Sequence, residues 1–209
     1  MTRRAGLRLV PLVIAAACGP TTPSPSPSPS SSPTPAACTG TPSAYAQAVS
    51  DWWVPRCSLE QNIYNDPLEA LGPPNAAGFG PVSYTGFVSL GFGGRVTLDM
   101  GGCVVDRPGA DLRVFQAVSG EPVSVYVSTT REGPFTLVEA RKPCGTRLDP
   151  IKGYCDFDLA DARVTQARYV RVEDGELFPC PGGTRSEGAD LDAVQALGVA
   201  TMTGGSLPR

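Results

Sequence analysis

The chain has 209 residues, of which 41% are hydrophobic and 18% are charged, so it can bury the core of one ordinary domain and carry appendages. Its 24 glycines and 22 prolines favour turns and short strands over long helices. The 17 basic residues face 20 acidic ones without forming a basic block, so nucleic-acid binding has no electrostatic footprint. The absence of histidine excludes Ser-His-Asp and Cys-His catalysis and histidine-bound zinc.

The first 18 residues, MTRRAGLRLVPLVIAAAC, have a basic start and an apolar stretch that is too short to span a bilayer. The AAAC that ends at Cys18 resembles the lipobox of bacterial lipoproteins, with Ala15 where that pattern prefers Leu. The resemblance implies a signal peptide over 1–17, a lipid on the Cys18 thiol, and an exported protein anchored to a bacterial outer membrane or cell surface. The alternative is an ordinary signal peptide cleaved nearby, which would leave Cys18 free or remove it.

A proline- and serine-rich stretch follows Cys18, and it contains neither charge nor large apolar side chains over 19–35. Such a composition cannot form a core, and it predicts an extended linker over 18–43. At about 3.1 Å per residue the linker reaches at most roughly 75 Å, which would hold a domain away from a membrane surface.

The globular part is predicted over 44–199, followed by a flexible tail over 200–209. SAYAQAVSDWW fits either a helical turn or a first strand, and FVSL, GFGG and RVTLDM together predict a β-hairpin with a glycine turn. Further short segments alternate apolar and polar residues. They are DLRVFQAV, VSVYVST, FTLVEA, YCDFDLA, ARYVRVED and LDAVQAL. About eight short strands joined by Gly/Pro turns predict an all-β fold, a β-sandwich or jelly roll.

The chain has seven cysteines, and six remain once Cys18 is taken as the lipid anchor. An even number suits disulfides in an oxidising compartment, and six cysteines allow 15 pairings. The favoured pair flanks the turn-rich KPCGTRLDPIKGYC, which could fold back on itself, and two further pairs are expected among the remaining four cysteines. The three pairs are Cys144–Cys155, Cys38–Cys57 and Cys103–Cys180. A zinc site is the competing interpretation, which the absence of CxxC and of histidine disfavours.

The last predicted strand, in GADLDAVQAL, begins with Asp190 and Asp192. In an extended strand these side chains share one face at roughly 7 Å, and that face continues to Val194 and Ala196. Together with the acidic stretches DRPGAD and EDGE they would form an oxygen-rich pocket for Ca²⁺ if the strand edges meet. The alternative is that both aspartates are solvated or cap the preceding turn.

Two other kinds of side chain suggest a function. A carboxylate pair could perform glycoside hydrolysis. Its candidates are Asp106, Asp111, Glu173, Asp174, Glu187, Asp190 and Asp192. Aromatic residues before the first hairpin could form a rim that stacks on sugar rings, or they could simply pin loops. They are Trp52, Tyr64, Phe79 and Tyr84.

An ordered series of motifs over residues 44–199 resembles one known family. The series is ALGPPN, FVSLGFGGRVTLDMG, VVDRPGADLRVFQ, EPVSVYVSTTREGPFTLV, FDLA, ARYVRVEDG and GADLDAVQAL. It is similar to a bacterial secreted cell-surface domain with a galactose-binding-like, discoidin-related jelly roll. The resemblance implies a non-catalytic binding or adhesion role, often toward carbohydrate.

Relatives of that fold commonly hold a structural Ca²⁺ with an early loop and the last strand. Motif matching carries the acidic positions over to Asp111, Asp190 and Asp192. The chain departs from the pattern at Gln116, where the family usually has Glu, and at Asn75, where it often has Asp. Both changes remove negative charge from the expected pocket.

The sequence therefore predicts a lipid-anchored, disulfide-stapled envelope protein that is not an enzyme. Its expected partners are the membrane, through the lipid, and a glycan or an envelope protein, with no nucleic acid. A carboxylate-dependent hydrolase acting on envelope polysaccharide is one alternative, and a structural protein that contacts another envelope protein is the other.

Overall fold

The described part of the protein is a β-sandwich, which confirms the predicted all-β class. The residues that the computed structural model describes are 37–55, 63–77, 85–118, 120–145, 153–175 and 188–198. All of them belong to one compact unit, Pro35–Arg209. Among the described helices, none is long and apolar enough to cross a membrane.

Nine strands form the described framework, and all their pairings are antiparallel. The strands are β1 (Ala48–Trp53), β2 (Val88–Ser89), β3 (Arg95–Val105), β4 (Leu112–Gln116), β5 (Pro122–Ser128), β6 (Thr136–Pro143), β7 (Gly153–Phe157), β8 (Gln166–Asp174) and β9 (Asp190–Ala196). A five-stranded sheet has the order β1-β3-β8-β5-β6, and a four-stranded sheet has the order β2-β9-β4-β7. Two short 3-10 helices, Pro67–Ala70 and Leu159–Ala162, connect strands.

Alternating apolar residues of the two sheets meet in one core. Their side chains are at most 1% exposed, and each contributes about 1.5–3 kcal/mol relative to an exposed position. They include Val96, Leu98, Met100, Val123, Val125 and Val127 from the five-stranded sheet and Leu112, Val114, Leu191 and Val194 from the four-stranded sheet. The period-two alternation read from the sequence is confirmed in β3 and β5.

The predicted hairpin over FVSLGFGGRVTLDM is wrong, because β2 and β3 belong to different sheets. The glycine turn does exist, since Gly94 N donates to Gly91 O at 3.0 Å. A side chain at Gly94 would place its Cβ 1.8 Å from Leu90 O, so the position requires glycine. The turn carries the chain from one sheet to the other, because a turn motif reports a change of direction and not which strands pair.

The folded part begins earlier than the predicted boundary at residue 44. Cys103 N donates to Gly40 O at 2.8 Å, and Ser43 N donates to Met100 O at 2.9 Å. The predicted linker therefore ends near Cys38, because the residues after it lie along β3 and hydrogen-bond to it.

The same contact corrects the disulfide pairing. Cys38 is bonded to Cys103, with 5.7 Å between the Cα atoms, and not to Cys57 as predicted. Cys103 is therefore not bonded to Cys180. The Cys144–Cys155 bond is confirmed, with a Cα separation of 4.7 Å. Of the seven cysteines, Cys18, Cys57 and Cys180 lie outside the described part, as does the carboxylate candidate Glu187.

Candidate functional site

The register of β4 and β9 separates the three aspartates predicted to share a metal ion. Leu112 lies opposite Ala196, and Gln116 lies opposite Leu191. Asp111, just before β4, is therefore at one end of the pair, and the start of β9 is at the other. The four residue steps of β4 span roughly 14 Å. The structure brings Asp190 and Asp192 to one end of the sandwich and leaves Asp111 at the opposite end.

Asp111 is buried and both its carboxylate oxygens accept backbone hydrogen bonds. Oδ1 accepts from Arg107 N at 3.0 Å, and Oδ2 accepts from Leu159 N at 3.0 Å. Burial raises the pKa of Asp111, the two backbone donors oppose that rise, and the charges of Asp106 and Asp158 add to it. The carboxylate thus fastens the loop before β4 to the turn after β7.

Asp106, Asp111 and Asp158 bring carboxylate oxygens within 4.8 Å of one another. Asp158 caps the second 3-10 helix by accepting from Ala160 N at 2.8 Å. Both oxygens of Asp111 also accept from backbone donors, so hydrogen bonds to the backbone account for the positions of Asp111 and Asp158.

Asp192 joins the last strand to the early loop. It is 1% exposed, and its Oδ1 accepts from Asn75 N at 2.8 Å and from Ala76 N at 3.2 Å. The two elements that the family resemblance associates with an ion are therefore adjacent. Here direct hydrogen bonds to backbone N–H groups hold them together.

A β-bulge changes which side chains of β9 face the core. Phe115 lies opposite Ala193 while Gln116 lies opposite Leu191, so Asp192 is the extra residue. The expected row of Asp190, Asp192, Val194 and Ala196 is wrong, because Leu191 joins Val194 and Ala196 in the core cluster. One extra residue reverses the alternation on the N-terminal side of the bulge.

Asp190 is the carboxylate with an unpaired oxygen. Its Oδ1 is buried and accepts no hydrogen bond from the described residues, while its backbone N donates to Glu121 Oε2 at 2.9 Å. Burial raises the pKa of Asp190 to about 7, although a hydrogen bond with Ser89 opposes the rise, and the charge of Asp174 adds to it. A buried carboxylate without enough donors takes up a proton more readily.

Gln116 supplies a second buried oxygen near the same place. It is 1% exposed and its Nε2 donates to Glu121 O at 3.0 Å, whereas its Oε1 has no partner among the described residues. Glu121 thus contacts both Gln116 and Asp190. Carboxylate and amide oxygens are the ligands that Ca²⁺ prefers. Asp190 Oδ1 and Gln116 Oε1 are two oxygens of that kind at this end of β4, and Asp111 lies at the other end.

The sequence indicated at Gln116 only the loss of a negative charge relative to the family pattern. Its inward position follows the period-two alternation of β4, which could have been read from Leu112 and Val114. The missing hydrogen-bond partner of Oε1 depends on the loop that meets the strand end, and no local pattern reports it.

The described aromatic residues of the predicted rim pack inward. Trp52 packs against the core, while its neighbour Trp53 is 46% exposed, as opposite faces of a strand require. The Tyr64 ring lies 4.8 Å from the Phe87 ring, in a small cluster beside β2. Trp52 and Tyr64 thus hold a strand and a loop in place. The other predicted rim residues, which lie outside the described part, are Phe79 and Tyr84.

Comparisons with known proteins give no relative. No protein-family model matches the chain, and neither the curated proteins nor the solved structures contain a match to it.

Proposed function

We propose that this chain is an exported, lipid-anchored binding module of a bacterial envelope, which binds a carbohydrate without transforming it. The observation that carries the non-catalytic part is the use of its buried carboxylates. Asp111, Asp174 and Asp192 each accept hydrogen bonds from two backbone N–H groups. Such carboxylates hold neighbouring backbone segments together and so have a structural role.

Asp174 illustrates the point. Its Oδ2 accepts from Gly93 N and its Oδ1 from Ala189 N, both at 2.9 Å. A glycosidase needs one carboxyl group that reaches the leaving oxygen and another that reaches the sugar carbon or a water. A carboxylate whose two oxygens are held by the backbone in a buried corner cannot reach a substrate.

One observation favours the rival proposal of a carboxylate-dependent hydrolase. A pKa near 7 is what a general acid needs at neutral pH, and burial raises the pKa of Asp190 to about 7. Against this, Asp190 Oδ1 is buried in the fold, where a polysaccharide does not reach.

The proposed function includes a lipid anchor at Cys18. A lipid on Cys18 and a proline-rich linker would place the sandwich outside the membrane surface. The Cys38–Cys103 bond fastens the end of that linker to β3, an inner strand of the five-stranded sheet. Mass spectrometry of the mature N-terminus tests the anchor, and an unmodified Cys18 thiol would contradict it.

The experiment that tests the function measures binding and turnover together. The full chain carrying Cys18→Ser, which removes the predicted lipid acceptor, is incubated with a glycan array and with the same glycans in solution. We expect retention of a glycan without release of new reducing ends. Release of reducing ends that Asp190→Asn abolishes would establish the hydrolase instead, and no retention of any glycan would contradict carbohydrate binding.

We also propose that Asp190 and Gln116 contribute ligands to a structural Ca²⁺. A bound ion stabilises the folded state by about 2.7 kcal/mol when its free concentration is 100 times the dissociation constant. Thermal unfolding in EDTA and in millimolar Ca²⁺ should therefore differ for the wild-type chain and not for Asp190→Asn. Equal midpoints of the wild type in the two buffers would contradict the metal site and leave the binding proposal standing.

A further inference from the structure

We propose that the solvent face of β4 and β7 is a binding face for an uncharged glycan, with Tyr154 and Phe115 as stacking residues and Arg113 and Asp156 as hydrogen-bonding residues. The inference rests on the proposed carbohydrate-binding function and specifies where binding occurs. This face lies on the outside of the four-stranded sheet.

The register of the two strands assembles this face. Phe115 lies directly opposite Tyr154, and Arg113 lies directly opposite Asp156. The rings of Phe115 and Tyr154 have centroids 6.0 Å apart and are inclined by 49°. Tyr154 is 48% exposed, and Phe115 beside it is half-buried. Two neighbouring rings thus meet solvent on a rigid sheet.

An ion pair holds the polar half of the face in one geometry. Arg113 Nε donates to Asp156 Oδ1 at 2.6 Å, and a second guanidinium nitrogen donates to Asp156 Oδ2 at 2.9 Å. The same guanidinium lies 4.0 Å from the centroid of the Tyr154 ring. Hydrogen bonding to Asp156 raises the pKa of Arg113, which keeps the guanidinium charged. Groups that are fixed before a ligand arrives lose less conformational entropy on binding.

The chemistry of the face matches a neutral sugar. Aromatic rings pack against the apolar C–H surface of a pyranose. Guanidinium has five N–H donors, of which two are used by Asp156, and the carboxylate has further lone pairs. Adjacent donors and acceptors suit vicinal hydroxyl groups, which both donate and accept. Because the charges of Arg113 and Asp156 cancel, the face does not favour a charged ligand.

The edge of β7 disfavours a peptide strand as the ligand. β7 is the last strand of its sheet, but Gly145 N already donates to Tyr154 O at 3.1 Å, and Lys142 Nζ donates to Asp156 O at 2.8 Å. The Cys144–Cys155 bond fixes the covering segment. An incoming strand would find these main-chain acceptors occupied. The side-chain face remains accessible while the edge does not.

The opposite sheet offers a matched control. Trp53 is 46% exposed and lies 5.3 Å from the Arg95 guanidinium, which contacts Asp51 at 3.6 Å. The residue types correspond to those of the proposed face, but the contacts are longer and no ring of another described residue is paired with Trp53. Loss of binding should therefore follow removal of Tyr154 and not of Trp53.

Affinity electrophoresis of the full chain carrying Cys18→Ser tests this assignment. The gels contain mannan, galactan, a β-glucan or an α-glucan, with alginate as the acidic comparison. We expect retardation by at least one neutral polysaccharide. Tyr154→Ala should weaken it about tenfold or more, and Trp53→Ala should leave it within about twofold. Thermal unfolding of each variant checks the fold, and Arg113→Lys, which keeps the charge and loses the bidentate pair, should weaken binding about threefold to tenfold.

Each other outcome overturns the assignment. Full retardation of Tyr154→Ala and Arg113→Lys, or loss of it in Trp53→Ala alone, would place the glycan elsewhere and leave the proposed function intact. Retardation by alginate alone would overturn the uncharged ligand class. No retardation of the wild-type chain in any gel would remove the carbohydrate-binding function itself and this face with it.

Discussion

Asp111 and Asp190 lie at opposite ends of the β4–β9 pair, and the fold supplies the two carboxylates with different hydrogen-bond donors. Asp111 has one backbone donor for each oxygen, whereas Asp190 has a buried Oδ1 without a donor among the described residues. Burial raises the pKa of both, and only at Asp111 do backbone N–H groups oppose it. The hydrogen-bond donors supplied by the fold, and not burial alone, therefore decide how much a buried carboxylate destabilises the folded state.

The difference also separates two roles. A carboxylate that accepts a hydrogen bond at each oxygen holds two backbone segments together. Removing that carboxylate leaves buried N–H groups unpaired. A carboxylate with an unpaired buried oxygen is stabilised when it binds a proton or a cation. The resemblance placed Asp111 and Asp190 in one ion site, whereas the structure places them at opposite ends of the strand pair.

The largest effect is expected for Asp111→Asn. The amide nitrogen would face the N–H of either Arg107 or Leu159, leaving buried donors unpaired, so the free energy of unfolding should fall by about 2–3 kcal/mol. Urea denaturation at pH 7 measures it. Asp106→Asn, at the half-buried neighbour, makes the same change of charge and should cost less than about 0.5 kcal/mol. Equal losses in both variants would mean that charge, and not the backbone donors, stabilises this end.

A smaller effect of opposite sign is expected for Asp190→Asn. Because its folded pKa is about 7 against an ordinary 3.8, the folded chain holds a proton that the unfolded chain releases between roughly pH 4 and pH 7. Stability from this group is therefore present at low pH and is lost as pH rises through 7. The shift from 3.8 to about 7 corresponds to about 4 kcal/mol, and we expect about half of it because Asp190 is only half-buried and solvent screens its charge. In EDTA at pH 8, Asp190→Asn should therefore be more stable than the wild type by about 2 kcal/mol, and at pH 4 the two should nearly agree.

Urea denaturation across that pH range checks the sign. A variant that is less stable than the wild type at pH 8 would show that Asp190 is satisfied as an anion, and the contrast with Asp111 would disappear.

The smallest effect is expected at Asp99, whose main hydrogen-bond partner is the guanidinium of Arg168 and not a backbone N–H group. Arg168 donates to both oxygens at 2.9 Å and lowers the pKa of Asp99. Its stabilisation is present above the unfolded pKa and is lost as pH falls through the lowered folded pKa. Because Arg168 is about one-third exposed, Asp99→Asn should cost only about 0.5–1 kcal/mol at pH 7 and less at pH 2. A larger cost at pH 2 than at pH 7 would contradict this sign.

Much of the fold could be predicted from the sequence because it depends on neighbouring residues. Apolar alternation in β3 and β5 marks which residues face a core, and histidine-free composition excludes whole classes of chemistry. The Cys144–Cys155 bond also follows from a short turn-rich segment between its ends. These features need no knowledge of which strand lies beside which.

Only the tertiary structure decided the contacts between distant segments. Cys38 meets Cys103 because the end of the linker lies along β3, and β2 pairs with β9 and not with β3. The bulge at Asp192 reverses one end of β9, and the β4–β9 register sends Asp111 to the far end from Asp190. Strand pairing is a choice among partners of similar local pattern, and packing of the whole core makes that choice. The sequence by itself therefore determined that this protein is a β-sandwich with acidic strand ends. The tertiary structure decided that Asp111 has a backbone donor for each oxygen and that Asp190 keeps a buried oxygen without a donor among the described residues.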